Sequence, residues 1–92
     1  MENWNWCVYI IECLDGTFYT GCTWNIDNRW EQHKAGKGSK YTIKHGVKKL
    51  VYYEKFENLD TARYREKQIK DWSQEKKRKL ISGEWKQDWN KK

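Results

Sequence analysis

The strongest turn signal in the chain is Asp15-Gly16, and it falls between two runs of strand-forming residues. The first run, residues 6–13, sets Trp6, Val8 and Ile10 on one face and Cys7, Tyr9, Ile11 and Cys13 on the other. A hairpin follows, and parity constrains its register. A two-residue loop at Asp15-Gly16 would pair Glu12 with Tyr19 and place Tyr9 on the opposite face. Tyr9 and Tyr19 share a face only if the loop has odd length. A three-residue loop with Gly16 in the left-handed conformation does this, so a bulged turn is predicted.

Helix signals follow. Gly21 closes the second strand, and Asn25 or Asp27 can cap a helix that runs to about Ala35, with Gly36 as its stop. Ile26, Trp30 and His33 share one stripe of that helix, with Arg29 beside His33 at i, i+4. The stretch Gly36-Lys37-Gly38-Ser39-Lys40-Tyr41-Thr42 reads as a loop or short helical turn. It is not a P-loop, because neither its residue order nor its flanks match. Lys48 to Phe56 reads as a third strand, with Leu50, Tyr52 and Phe56 on one face and Val51 and Tyr53 on the other. Asn58 or Asp60 caps a second helix to about Trp72, whose apolar stripe lies near Ala62, Arg65, Glu66, Ile69 and Trp72. Ser73 caps a third helix to about Ser82, stopped by Gly83. Residues 1–5 form a lead-in, 6–82 one domain and 83–92 a basic tail with Trp85 and Trp89 at i, i+4.

Ninety-two residues make one small domain with a thin core. Seven Trp and six Tyr supply amphipathic rings to a chain that is 35% charged, which favours folding over disorder. The net charge of +6 is unevenly spread: of 19 basic residues only Arg29 precedes Lys34, whereas five of the 13 acids do. A basic second part suits an anionic polymer, nucleic acid first. Three cysteines (Cys7, Cys13 and Cys22) without a CxxC pair fit a reducing cytoplasm, and the histidines lack zinc-ligand spacing. No apolar run approaches the ~20 residues of a membrane span.

Cys7-Val8-Tyr9, then Tyr19-Thr20-Gly21, then Arg29 on the next helix and Glu66 on a later one, resemble the signatures of the GIY-YIG nuclease superfamily in order and spacing. With its GKGSKYT, LVYYE and AxxREKxIKxWS stretches, the chain is similar to that superfamily's small single-domain, functionally uncharacterised branch over roughly residues 6–82. The resemblance implies an α/β (α+β) domain with a three-stranded, mostly antiparallel sheet and three helices. It also implies a metal-dependent endonuclease acting on DNA, or RNA. Departures are Cys7 for the first glycine, Thr20 for the isoleucine, no lysine in Cys22-Thr23-Trp24 and no asparagine between Lys76 and Ser82.

Hydrolysis of a phosphodiester needs an activated oxygen nucleophile, neutralised phosphoryl charge and a stabilised leaving oxygen. The resemblance implies that Glu66 holds one divalent cation, Mg2+ or Mn2+, and that Tyr9 activates the water. Arg29 suits a phosphate clamp by its planar fork. Tyr19 orients water or binds phosphate, and His33 relays the proton or contacts phosphate. Lys37, Lys40, Tyr41, Arg65 and Lys70 are candidate nucleic-acid contacts. Without the family, Tyr9 and Tyr19 read as core aromatics and Glu66 as a salt-bridge partner of Arg29, Arg63 or Lys70. The functional expectation is an endonuclease for structured or damaged DNA; its rivals are a binding module without turnover and a basic protein-interaction domain.

Overall fold

A computed structural model describes residues 5–83. In chain order the elements are β1 (Trp6–Cys13), β2 (Phe18–Thr23), α1 (Ile26–Lys34), α2 (Lys40–His45), β3 (Val47–Phe56), α3 (Leu59–Lys70) and α4 (Gln74–Ser82). The sheet order is β2-β1-β3 and both pairings are antiparallel. The fold is thus the expected α+β domain, with one helix more than expected. The additional helix is α2. It forms because the Ser39 hydroxyl accepts from the Thr42 amide and caps a single short segment. Trp85, Trp89 and the first residues of the lead-in lie outside the described residues.

The β1–β2 turn has the predicted odd length. Leu14, Asp15 and Gly16 form the loop, closed by the Cys13 amide donating to the Thr17 carbonyl (2.8 Å) and the Gly16 amide donating to the Cys13 carbonyl (3.0 Å). Gly16 has φ 87°, where a side chain is strained. The register pairs Ile11 with Tyr19 and Tyr9 with Gly21, so Tyr9 and Tyr19 share a face.

β1 is central and covered on both sides. Val8 and Ile10 are fully buried with Ala62, Ile69 and Leu80 of α3 and α4. Cys7, Tyr9, Ile11 and Cys13 are buried on the other face. The cysteines pack there as free thiols.

β3 corrects one expectation. Ile10 pairs with Tyr52 but Ile11 pairs with Leu50, so Val51 is bulged out of the ladder. Val51 and Tyr52 therefore both pack toward the Val8–Ile10 core, while Leu50 follows Ile11 onto the opposite face. Strict alternation grouped Leu50 with Tyr52 because it has no means of registering an extra residue. The helix caps are Asn25, Asn58 and Ser73, each accepting from the amide three residues on.

Candidate active site

The shared face of β1 and β2 carries a connected polar and aromatic cluster. Tyr9 is 1% exposed, yet its hydroxyl lies 2.9 Å from His33 Nε2. His33 is buried on the inner face of α1, and its Nδ1 lies 3.0 Å from Thr42 Oγ1 of α2. The Thr42 hydroxyl lies 3.1 Å from the Ser39 carbonyl oxygen, and when it donates there it accepts from His33. In that arrangement the ring proton sits on Nδ1 and Nε2 is bare to accept the Tyr9 hydroxyl. From the other side Arg29 Nε donates to the Tyr9 oxygen at 3.4 Å. The result is a directed run from Arg29 through Tyr9, His33 and Thr42 to the backbone at Ser39.

Two glycines make room for this run. A Cβ on Gly21 would stand 2.5 Å from both Tyr9 Cζ and Tyr9 Oη. The ring therefore lies across strand β2 only because Gly21 has no side chain. A Cβ on Gly38 would collide with His33 Nδ1. Gly38, Ser39 and Thr42 were not singled out as site residues in the sequence. The Ser39-x-x-Thr42 cap pattern was the available signal, and it specifies a helix start without saying what Thr42 faces.

Burial shapes the titrations. It pushes the Tyr9 phenol up to about 12, against a lowering hydrogen bond from Arg29; the Glu66 carboxylate adds a smaller raising effect. Burial, with the Arg29 charge second, pushes His33 down to about 4, so the ring is neutral near pH 7. Aromatic contacts extend the cluster. Tyr19 meets His33 edge-on (centroids 5.7 Å apart) and stacks with Tyr41 (5.7 Å), which stacks with His45 (4.2 Å). His45 in turn is paired with Asp15 of the turn.

Arg29 spends one guanidinium nitrogen on Gln32 Oε1 (2.8 Å), and no carboxylate among the described residues pairs with it. Glu66 projects from α3 with its side chain 16% exposed and paired with Lys70 Nζ at 3.1 Å. Among the described residues there is no cluster of three or more His, Cys, Asp and Glu. A lone carboxylate still fits magnesium, which binds through one or two carboxylates, keeps several waters and takes further ligands from phosphate.

An open groove of about 340 Å3 adjoins this cluster, with Tyr19, Tyr41 and Lys70 among its walls. Tyr9, Tyr19, Arg29, His33 and Tyr41 thus come together, with Lys70 bordering the same groove. Lys37 and Lys40 are exposed, in the α1–α2 connection and at the first position of α2. Arg65 is not brought to the groove. It is 6% exposed, with Nε and Nη2 each 2.9 Å from the Glu54 carboxylate and Nη1 on Gln68. Its bidentate pairing explains its burial, because a buried guanidinium needs such a partner.

No helix among the described residues is long and apolar enough to cross a membrane. Residues 5–79 match the GIY-YIG catalytic domain. A UPF0213 protein of Natronomonas pharaonis is 42% identical over 84% of this chain and 91% of its own length. A UPF0213 protein of Clostridium perfringens is 47% identical, covering 82% of this chain and 81% of its own. The solution NMR structure of the UPF0213 protein from Bacillus halodurans is similar at TM-score 0.55 and 42% identity, over 85% of this chain and 83% of that one. With the domain match spanning most of the chain and these relatives matching over most of their own lengths, this chain belongs to the GIY-YIG family.

Proposed function

We propose that the chain is a divalent-metal-dependent endonuclease that hydrolyses phosphodiester bonds of structured or damaged DNA. The observation that carries this reading is the Arg29–Tyr9–His33–Thr42 run. A phenol held near 12 is a poor store of base at neutral pH, since only about one molecule in 100,000 is ionised. The neighbouring imidazole is neutral at that pH and offers the phenol proton an acceptor. As Tyr9 takes a proton from the attacking water, its own proton shifts to His33 Nε2 only for the duration of the step, because burial and the Arg29 charge make the imidazolium give it back through Tyr9. Thr42 holds the imidazole in the tautomer that this transfer requires.

Arg29 sits at the start of the run, and its planar fork suits two phosphate oxygens. Tyr19 flanks His33, where it orients the scissile group, and it also lines the groove beside it. Glu66 is the residue to hold a divalent cation, which supplies neutralisation of charge on the phosphoryl oxygens when bound. Lys37, Lys40, Tyr41 and Lys70 contact the backbone around it, and the basic second part of the chain steers the polymer in.

One observation favours a second reading, a nucleic-acid-binding module without turnover. The Glu66 carboxylate is already paired with Lys70 at 3.1 Å, an arrangement that satisfies it without a cation. The test is incubation with branched, nicked and single-stranded DNA in magnesium, manganese or EDTA, beside Glu66→Ala. Metal-dependent cutting that disappears in the variant supports the endonuclease. Binding without cutting, unchanged in Glu66→Ala, overturns it in favour of the binding module.

A further inference from the structure

The groove beside the cluster has a second wall with no part in the proton relay. Phe18 and Thr20 of β2 line it with Gln74 and Lys77 of α4. Lys77 is 5% exposed; its amide donates to the Ser73 carbonyl oxygen (3.1 Å), and among the described residues its ammonium has neither a hydrogen bond nor an ion pair. Burial, and then the charge of Lys70, push its ammonium down from the ordinary lysine range. Thr20 is 2% exposed, and its hydroxyl is buried without a partner among the described residues. The Gln74 carbonyl oxygen accepts the Phe18 amide (2.7 Å), which leaves the two amide hydrogens of Gln74 as its unspent capacity.

These features share one chemical meaning. The groove residues offer ammonium, amide, hydroxyl and phenol donors, and no carboxylate lines the groove. The Lys77 stem is buried while its ammonium, which has no counter-charge, opens to the groove, where a bound anion would pair with it. Tyr19 is a wall common to this groove and to the Tyr9–His33 cluster, so an anion here lies beside the scissile position and not at it. We propose that Lys77, Thr20 and Gln74 form a phosphate subsite that seats a flanking phosphate of the polynucleotide backbone. The polymer's identity rests on the function proposed above; the phosphate chemistry does not.

The test uses the full chain in EDTA, so that binding is measured without turnover. The probes are inorganic phosphate and a short single-stranded oligonucleotide. The variants are Lys77→Met, which keeps the stem and removes the charge, and Thr20→Val, which removes only the orphaned hydroxyl. Lys48→Met, on β3 where Lys48 is 57% exposed, is the control for net charge.

Phosphate is expected to shift the amide resonances of Phe18, Thr20 and Gln74. Lys77→Met is expected to lose about ten-fold or more in affinity for both probes, the scale of a charge-assisted hydrogen bond, and to lower the salt slope by about one. Thr20→Val should lose a smaller factor, and Lys48→Met should leave the phosphate shifts in place. Equal phosphate affinity in wild type, Lys77→Met and Thr20→Val would overturn the subsite. Loss for inorganic phosphate alone, with oligonucleotide affinity and salt slope unchanged, would overturn the backbone assignment. Should Lys77→Met fail to fold, Thr20→Val alone decides by the same readouts. Absence of metal-dependent cutting with these binding effects intact would overturn the endonuclease and leave the subsite standing.

Discussion

The two faces of strand β1 are both buried at the centre of the strand and are built on different physics. On one face Val8 and Ile10 meet Ala62, Ile69 and Leu80, and cohesion comes from apolar area removed from water. On the other, Tyr9 meets His33, Thr42 and Arg29 through a chain of hydrogen bonds that leaves each polar group spoken for. The first face tolerates changes of shape at a cost in stability. The second sets the resting protonation states of Tyr9 and His33, from which a proton transfer can start. A small domain thus separates cohesion and reactivity by a single residue of alternation along one strand.

The comparison is sharpest at adjacent residues. Tyr9→Phe keeps the ring and deletes the hydroxyl. DNA cleavage is expected to fall about 10²–10⁴-fold, the usual worth of general acid–base catalysis, while urea unfolding changes by only about 1 kcal/mol. Retained cleavage would break the assignment of Tyr9 to the relay. Ile10→Ala should do the reverse. Its fully buried side chain leaves a cavity that costs about 2–5 kcal/mol in denaturant unfolding, with the specific activity of the folded fraction little changed.

A third measurement follows stability against pH. His33 is depressed to about 4 in the folded state from an ordinary 6.5, so the unfolded chain takes up a proton first as the pH falls. Its stabilisation is complete above 6.5 and lost progressively between 6.5 and 4, by roughly 3 kcal/mol in total. His33→Gln should flatten that part of the curve; an unchanged curve would refute a buried neutral imidazole.

Gly21→Ala tests the close approach. The added methyl must displace the Tyr9 ring, at a cost of about 1–3 kcal/mol, and the Tyr9–His33 hydrogen bond should be lost with it. A crystal structure of the variant with the 2.9 Å bond intact would refute the clash. The smallest effect is expected at Lys34→Ala. Its 3.1 Å pair with Glu31 is solvent-exposed, and removal should change stability by less than about 1 kcal/mol.

Local rules made a large part of this arrangement legible in advance. The odd loop at Gly16 was forced once Tyr9 and Tyr19 were required on one face, and residue type narrowed the caps to Asn25 or Asp27, Asn58 or Asp60, and Ser73, of which the structure uses Asn25, Asn58 and Ser73. Arg29 and His33 were placed side by side by helical spacing alone. These features depend on contacts a few residues apart, and short-range sterics and hydrogen bonding decide them wherever they occur.

What the chain alone left open depends on contacts between distant segments. The Val51 bulge is a feature of how β3 pairs with β1, which no pattern within β3 encodes. Arg65 looked available to nucleic acid until the fold placed Glu54, from a different element, against its fork. The tautomer of His33 depends on Thr42, nine residues away on another helix, and the groove around Lys77 on α4 meeting β2 across more than fifty residues of chain. The chemistry-bearing residues and their local spacing were written in the sequence by itself. Which of them are neutral, paired or left facing an open groove was decided by tertiary packing, because desolvation and partner choice are properties of the assembled interior.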